Sequence, residues 1–214
     1  MYERERTPTE LIMYSLYLYF LGLSFRNTAK AIEPFVDRTH VAIWYWVQQF
    51  CPERVYPCKR VAAYLIDETQ VQIGTSEAWV WVATEPAHRT ILGVYISRHR
   101  NMLVVETFLR SLVQKYGKRP VYSDGGAWYP EACRTLGLQH RLHSTHWKNL
   151  MERVVEYFKD RIEGFDDYYP CTREGCELSH VHSWLRLFVS MYNARRRHVK
   201  FRLLAGMIGG GRMA

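Results

Sequence analysis

Tyr64-Leu65-Ile66-Asp67-Glu68-Thr69-Gln70-Val71 sets an acidic pair in the middle of an extended, apolar stretch. Residues 61–73 are rich in β-branched and aromatic side chains and predict a long strand. Side chains on a strand alternate between its faces, so Asp67 shares one face with Leu65, Val71 and Ile73 while Glu68 takes the other. A carboxylate on an apolar, buried face is costly unless a cation or a hydrogen-bond donor compensates it. Two explanations stand at this point: Asp67 is held by a nearby arginine, or it belongs to a cation-binding site. Glu68, on the other face, is assigned no catalytic role.

Working outward, residues 78–84 and 91–96 predict two further strands that would complete an antiparallel meander. Residues 101–116 form an amphipathic helix with Leu103, Val104, Phe108, Leu112 and Val113 inward. A strand at 120–123, a short helix at 130–136, a strand at 139–143 and helices at 149–162 and 179–193 follow. The order βββαβαβα is that of a ribonuclease-H-like domain, a mixed α/β (α+β) architecture whose mixed sheet is flanked by helices.

The first fifty residues read differently. Thr7-Pro8-Thr9-Glu10 matches a capping box with proline at the first helical position, and an apolar helix follows to about Phe20. Ser24 is placed to cap a second helix that Pro34 stops, and Asp37 or Thr39 caps a third to about Phe50. Helix, short turn and helix is the layout of a helix-turn-helix, which reads bases from the N-terminus of its last helix. Arg38, Thr39 and His40 occupy that start; a small packing bundle is the other reading. Pro52 and Pro57 break the periodicity, giving a small all-α helix-turn-helix domain at 1–52, a catalytic domain at 60–200 and a C-terminal tail at 201–214.

Composition narrows the class. The chain has 214 residues, 48% hydrophobic and 23% charged, which allows a sizeable core and excludes wholesale disorder. Its 29 lysines and arginines against 21 acidic residues give a formal charge of +8, suited to a polyanionic partner. The excess is concentrated: after Glu177 no acidic residue follows, whereas Arg186, Arg195, Arg196, Arg197, Lys200, Arg202 and Arg212 do. The apolar run at residues 11–25, interrupted by Ser15, Gly22 and Ser24, is shorter than the roughly 20 residues a bilayer requires. Acidic Glu3 and Glu5 stand where a signal peptide would be basic. The expectation is a soluble, cytoplasmic protein with reduced thiols and no membrane partner.

Two more carboxylates qualify for a site with Asp67. Asp124 follows the strand residues Val121-Tyr122-Ser123 and precedes Gly125-Gly126, and Glu152 lies on a helix opened by His146-Trp147-Lys148-Asn149, with Glu156 one turn later. Hard divalent cations take oxygen ligands and keep several waters, so two or three carboxylates suffice. Two such ions about 3.5–4 Å apart serve both the attacking and the leaving oxygen of a phosphoryl transfer. Gly125-Gly126 lacks the lysine of a phosphate-cradling loop.

These stretches fall in an ordered set: Leu23-Ser24-Phe25-Arg26, Trp46-Val47-Gln48, Asp67-Glu68-Thr69, Tyr122-Ser123-Asp124-Gly125, Asn149-x-x-Glu152, Gly164-Phe165 and Tyr192-Asn193. With them the sequence resembles the DDE-superfamily transposases of bacterial and archaeal insertion sequences, most closely family six, from about residue 10 to 200. The resemblance implies that Asp67, Asp124 and Glu152 are the catalytic triad holding Mg2+ (or Mn2+), two ions, and that Lys159 and Arg161 hold phosphate. The interval from Asp124 to Glu152 is shorter than is usual in the family, which keeps Glu156 as the alternative third ligand.

The function expected is binding of an element's terminal inverted repeats followed by metal-dependent DNA cleavage and strand transfer, in a prokaryotic cytoplasm, at the nucleoid. The partners are element ends, target DNA and a second protomer. Alternatives are a DNA-binding repressor with an inactive nuclease-like domain and a ribonuclease-H or resolvase-type nuclease. Arg195, Arg196 and Arg197 are expected to contact DNA phosphates. Cys171, Cys176, His180 and His182 have non-standard spacing for a zinc site, and zinc is not expected.

Overall fold

A computed structural model describes residues 7–50, 60–73, 76–163 and 178–196. Two compact units divide the chain, one formed by residues 1–55 with 183–214 and the other by residues 56–182.

The first unit contains α1 (Thr9–Leu21), α2 (Phe25–Ile32), α3 (His40–Gln49) and the part of α7 (Leu178–Arg196) from Ser183 onward. Ser24 caps α2 as expected, accepting the N–H of Asn27 at 3.1 Å. The capping box at Thr7 does not form: Pro8 occupies the cap, and Thr7 Oγ1 instead accepts the Arg38 Nε–H at 2.7 Å. Thr39 caps α3 without a side-chain hydrogen bond. Met13, Leu16, Phe20, Ile32, Ile43 and Val47 form the buried interior together with Trp184 and Phe188 of α7. The Phe20 ring lies 5.7 Å from that of Trp184 and 6.1 Å from that of Phe188. From Ser183 onward α7 groups with the N-terminal helices.

The second unit is built on a five-stranded sheet of order β3-β2-β1-β4-β5, from β1 (Tyr64–Ile73), β2 (Ser76–Glu85), β3 (Thr90–Ser97), β4 (Val121–Ser123) and β5 (His140–Leu142). The first three strands form the antiparallel meander, whereas β4 pairs parallel to β1 and β5 parallel to β4. The order and the mix of directions are those of the ribonuclease-H-like mixed α/β fold. Helix α4 (Met102–Tyr116) carries Val105, Phe108, Leu109 and Leu112 onto Tyr64, Ile66, Trp81 and Leu92, and α5 (Trp128–Leu136) adds Tyr129, Ala132 and Cys133 to the same core. Tyr64 fixes α4 to β1 by donating its hydroxyl to the carbonyl of Gly117 at 2.6 Å. Helix α6 (Thr145–Glu163) packs on β1, and its Trp147 ring stands edge-on to Tyr122 of β4, 4.3 Å between centroids. It starts four residues before the expected Asn149, because Ser144 supplies the first turn with its carbonyl, which accepts the Lys148 N–H at 2.9 Å.

Candidate active site

Strand register brings the two aspartates together. Leu65 of β1 pairs with Tyr122 of β4, so two residues further along each parallel strand stand Asp67 and Asp124. β4 ends at Ser123, and Gly125 turns the chain with a φ of 96°, a left-handed conformation that favours glycine. A Cβ at Gly125 would also sit 2.9 Å from Leu142 Cδ2. This turn puts Asp124 on the surface at the strand end while Asp67 remains half-buried.

Each carboxylate is held by a backbone donor. Asp67 Oδ1 accepts the N–H of Glu68 at 2.9 Å, and Asp124 Oδ1 accepts the N–H of Gly126 at 3.1 Å. Burial, then the negative charges of Glu68 and Asp124, push the Asp67 carboxyl up to about 7, opposed by its hydrogen bond from Glu68 and by the Arg100 guanidinium. Asp67, whose ionisation the nearby Asp124 charge opposes, forms with it a donor set that a hard divalent cation relieves. The residues therefore fit Mg2+ or Mn2+. Among the described residues no group of three His, Cys, Asp or Glu side chains closes on one point. The structure thus brings Asp67 and Asp124 together; the Glu152 side chain is exposed, 4.0 Å from Lys148 on the same helix. Glu156 is exposed as well, one turn on.

The remaining residues named from sequence fall in both units. Lys159 is exposed and Arg161 half-buried near the end of α6. Arg38 is committed within its own unit, to Thr7 and to the carbonyl of Asp37; Thr39 is exposed and His40 half-buried at the start of α3. Arg195 is exposed at the end of α7, where the Arg196 side chain is not described. Arg197, Lys200, Arg202, Cys171 and Cys176 lie outside the described residues, as does the His180 side chain; His182 is half-buried in α7.

Several residues around the pair were given no role from the sequence. Glu68, on the face opposite Asp67, has a fully buried side chain and takes a salt bridge from Arg100 at 2.6 Å. The Tyr129 hydroxyl donates to its other oxygen, and burial followed by the Glu68 charge holds that phenol well above its ordinary range. The arginine anticipated for Asp67 thus exists but pairs with its neighbour. On the Asp124 side, His143 donates Nε2–H to the carbonyl of Tyr122 at 2.8 Å, and burial lowers its pKa. The alternation at Glu68 was a usable signal, since a charge facing the Ile66 side needs a partner.

A family model described as a DDE domain, DDE_Tnp_IS240, matches residues 61–171, the span that contains both aspartates and Glu152. The protein MJ0017 of Methanocaldococcus jannaschii is 29% identical over 199 residues, covering 90% of each chain. Among solved structures, the catalytic core domain of BIV integrase aligns with a TM-score of 0.46 and 19% identity over 61% of this chain and 83% of that one. A chain of the simian T-cell lymphotropic virus intasome, in complex with PP2A regulatory subunit B56 gamma, aligns with 0.48 and 12% identity over 87% and 69%. The HTLV-2 integrase catalytic core domain in complex with magnesium gives 0.45 and 14% over 59% and 82%. Matched by its family model over more than half its length, the chain belongs to the DDE-domain transposases, enzymes of the polynucleotidyl-transferase type.

Proposed function

We propose that this protein recognises the terminal inverted repeats of an insertion sequence, cleaves DNA there and joins the freed 3′-hydroxyl to target DNA. The observation that supports the reading is the register that sets Asp67, inside β1, beside Asp124, just past the end of the parallel β4, each held by one backbone N–H. Asp67 and Asp124, with Glu152 as third ligand, would hold Mg2+ or Mn2+, two ions in all. Bound there, the cations would supply charge stabilisation to the attacking and leaving oxygens. Lys159 and Arg161 hold phosphate beside the site. Thr39 and His40, with Arg38 supporting them, present the start of α3 to DNA as the reading helix of a helix-turn-helix. Bringing two element ends together requires two protomers or more, so the working form is a homodimer or larger. The place of action is the nucleoid of a prokaryotic cell; among the described residues no helix is long and apolar enough to cross a membrane.

Incubating labelled element-end DNA with protein and Mg2+ or Mn2+, then sizing the products, tests this reading. A nick at the element boundary and joining of precleaved ends to a second duplex are expected, both lost in Asp67→Asn. Binding without cleavage would make the protein a repressor; cleavage without joining would make it a nuclease.

A further inference from the structure

We infer that Glu68, Arg100 and Tyr129 form a positioning clamp that sets how tightly the Asp67–Asp124 pair takes a divalent cation. The inference rests on the proposed role of those two aspartates and adds three residues that touch neither cation nor DNA.

A continuous run of hydrogen bonds connects the clamp to both aspartates. Glu68 donates its own N–H to Asp67 Oδ1, so fixing Glu68 fixes the donor that orients Asp67. On the other side of the sheet Glu68 accepts the Tyr129 hydroxyl. The Tyr129 N–H donates to the carbonyl of Gly126 at 3.1 Å, and the Gly126 N–H donates to Asp124 Oδ1 at 3.1 Å. One buried carboxylate therefore ties β1 to the turn that carries Asp124. Hydrogen-bonded partners behind metal ligands fix ligand orientation and commonly change affinity by about 10–100-fold when removed.

Arg100 makes this arrangement rigid. Its Nε and Nη2 both donate to Glu68 Oε1, at 2.9 and 2.6 Å, while the hydroxyl of Tyr129 takes Oε2. The guanidinium is sandwiched, 4.4 Å from the ring centroid of Trp79 on β2 and 4.2 Å from that of Trp128 at the start of α5. Trp128 also abuts Gly126, where an added Cβ would meet the indole at 2.8 Å. A planar, delocalised cation suits a slot between two aromatic faces in a way an ammonium does not. The Glu68 side chain is fully buried and its Arg100 partner 35% exposed, and burying such a charge is an inefficient way to gain stability, since apolar residues of the same volume often serve as well or better. Placement of the Asp124 turn is what an apolar substitute would not supply.

The test is Mn2+ binding to the DNA-free full chain, measured by calorimetry for wild type, Tyr129→Phe, Arg100→Lys, Arg100→Met and Asp67→Asn. Tyr129→Phe removes one hydroxyl and leaves the ring packed. It should weaken Mn2+ binding about tenfold, leave KM for element-end DNA unchanged, and recover cleavage when Mn2+ is raised. Arg100→Met should lose more affinity than Arg100→Lys, whose charge still balances Glu68. General damage to the fold would not be rescued by metal at constant KM. Should Tyr129→Phe fail to fold, the Arg100 pair decides the matter. Wild-type Mn2+ affinity in both Tyr129→Phe and Arg100→Met, with binding lost in Asp67→Asn, overturns the clamp and leaves the aspartate pair standing. Wild-type affinity in Asp67→Asn overturns the reading of the site itself.

Discussion

The Ser123 hydroxyl lies 2.8 Å from His140 Nε2, joining the last residue of β4 to the first of β5. The same oxygen accepts the N–H of Gly125 at 3.2 Å, so one buried serine braces both the sheet edge and the turn that presents Asp124. Burial lowers the His140 pKa and so favours the neutral ring, opposed by the Asp124 charge.

Ser123→Ala leaves the Gly125 N–H and the half-buried ring nitrogen without this partner. Leaving a buried polar group unpaired costs about 1–3 kcal/mol. Urea unfolding should show a loss in that range at unchanged m-value, and cleavage should fall because the Asp124 turn loosens. Unchanged stability would mean that water or another group replaces the hydroxyl without cost.

Asp67 gives the protein a distinctive pH dependence. Its folded pKa of about 7 lies above the ordinary value of 3.8, so the folded state binds this proton more tightly than the unfolded chain does. The stabilisation from that proton is complete below 3.8 and disappears as pH rises through about 7. Asp67→Asn keeps the shape and removes the charge, so in metal-free buffer it should melt higher than wild type at pH 8 and about equally at pH 4. At about 1.4 kcal/mol per pKa unit, a few kcal/mol is the upper bound of the gain. Mn2+ should raise the wild-type Tm at pH 8 far more than at pH 5, and should leave the variant unmoved. Equal melting of the two proteins at pH 8 would show that Asp67 ionises there at no cost.

What the sequence made readable depended on how local each signal was. Proline, glycine and serine marked the ends of most helices, and alternation placed Asp67 on its correct face. The capping box failed because Thr7 is taken by Arg38, 31 residues away, which no window around Thr7 contains. Glu68 was set aside for the same reason. Its partners Arg100 and Tyr129 are 32 and 61 residues distant, and only the fold brings them onto one face of the sheet. Asp67 on its strand and Asp124 just past a strand each carried a local signal, and the order of motifs along the chain is what joined them.

The third ligand separates by a pair of substitutions. Glu152→Gln should lower cleavage at least a hundredfold with end binding intact, because the swap removes one anionic ligand and little else. Its exposed side chain meets Lys148 at 4.0 Å among the described residues, a surface contact worth about 0–1 kcal/mol. Stability should accordingly stay within about 0.5 kcal/mol of wild type. Glu156→Gln should remain active. The reverse pattern of activities would move the third role one helical turn along α6.

The basic C-terminal cluster is expected to act through phosphates. Replacing Arg195, Arg196 and Arg197 together with glutamine should weaken binding to every duplex alike. It should also reduce the slope of log K against log salt by about 2.7, at roughly 0.9 per phosphate contact. An unchanged slope with loss of the dimer in sedimentation would make the cluster an assembly element.

Sequence recognition, by contrast, should reside in α3. Base contacts specify and phosphate contacts position, so residues reading bases betray themselves by unequal losses on cognate and random DNA. Thr39 is exposed and His40 half-buried at the helix start, and Thr39 makes no side-chain capping bond, so alanine at either should cost little stability. Each should lose about 1–3 kcal/mol of binding to element ends for one good base contact, and much less to random duplex. Arg38→Ala should behave differently. Its guanidinium donates to Thr7 and to the Asp37 carbonyl, so it should lower Tm and weaken cognate binding indirectly, by loosening the approach to α3. Competition binding at two salt concentrations, alongside thermal melts, separates the two kinds of residue. Equal losses of affinity for cognate and random DNA in Thr39→Ala and His40→Ala would show that this end of α3 only positions the duplex, and recognition would have to be sought elsewhere in the chain.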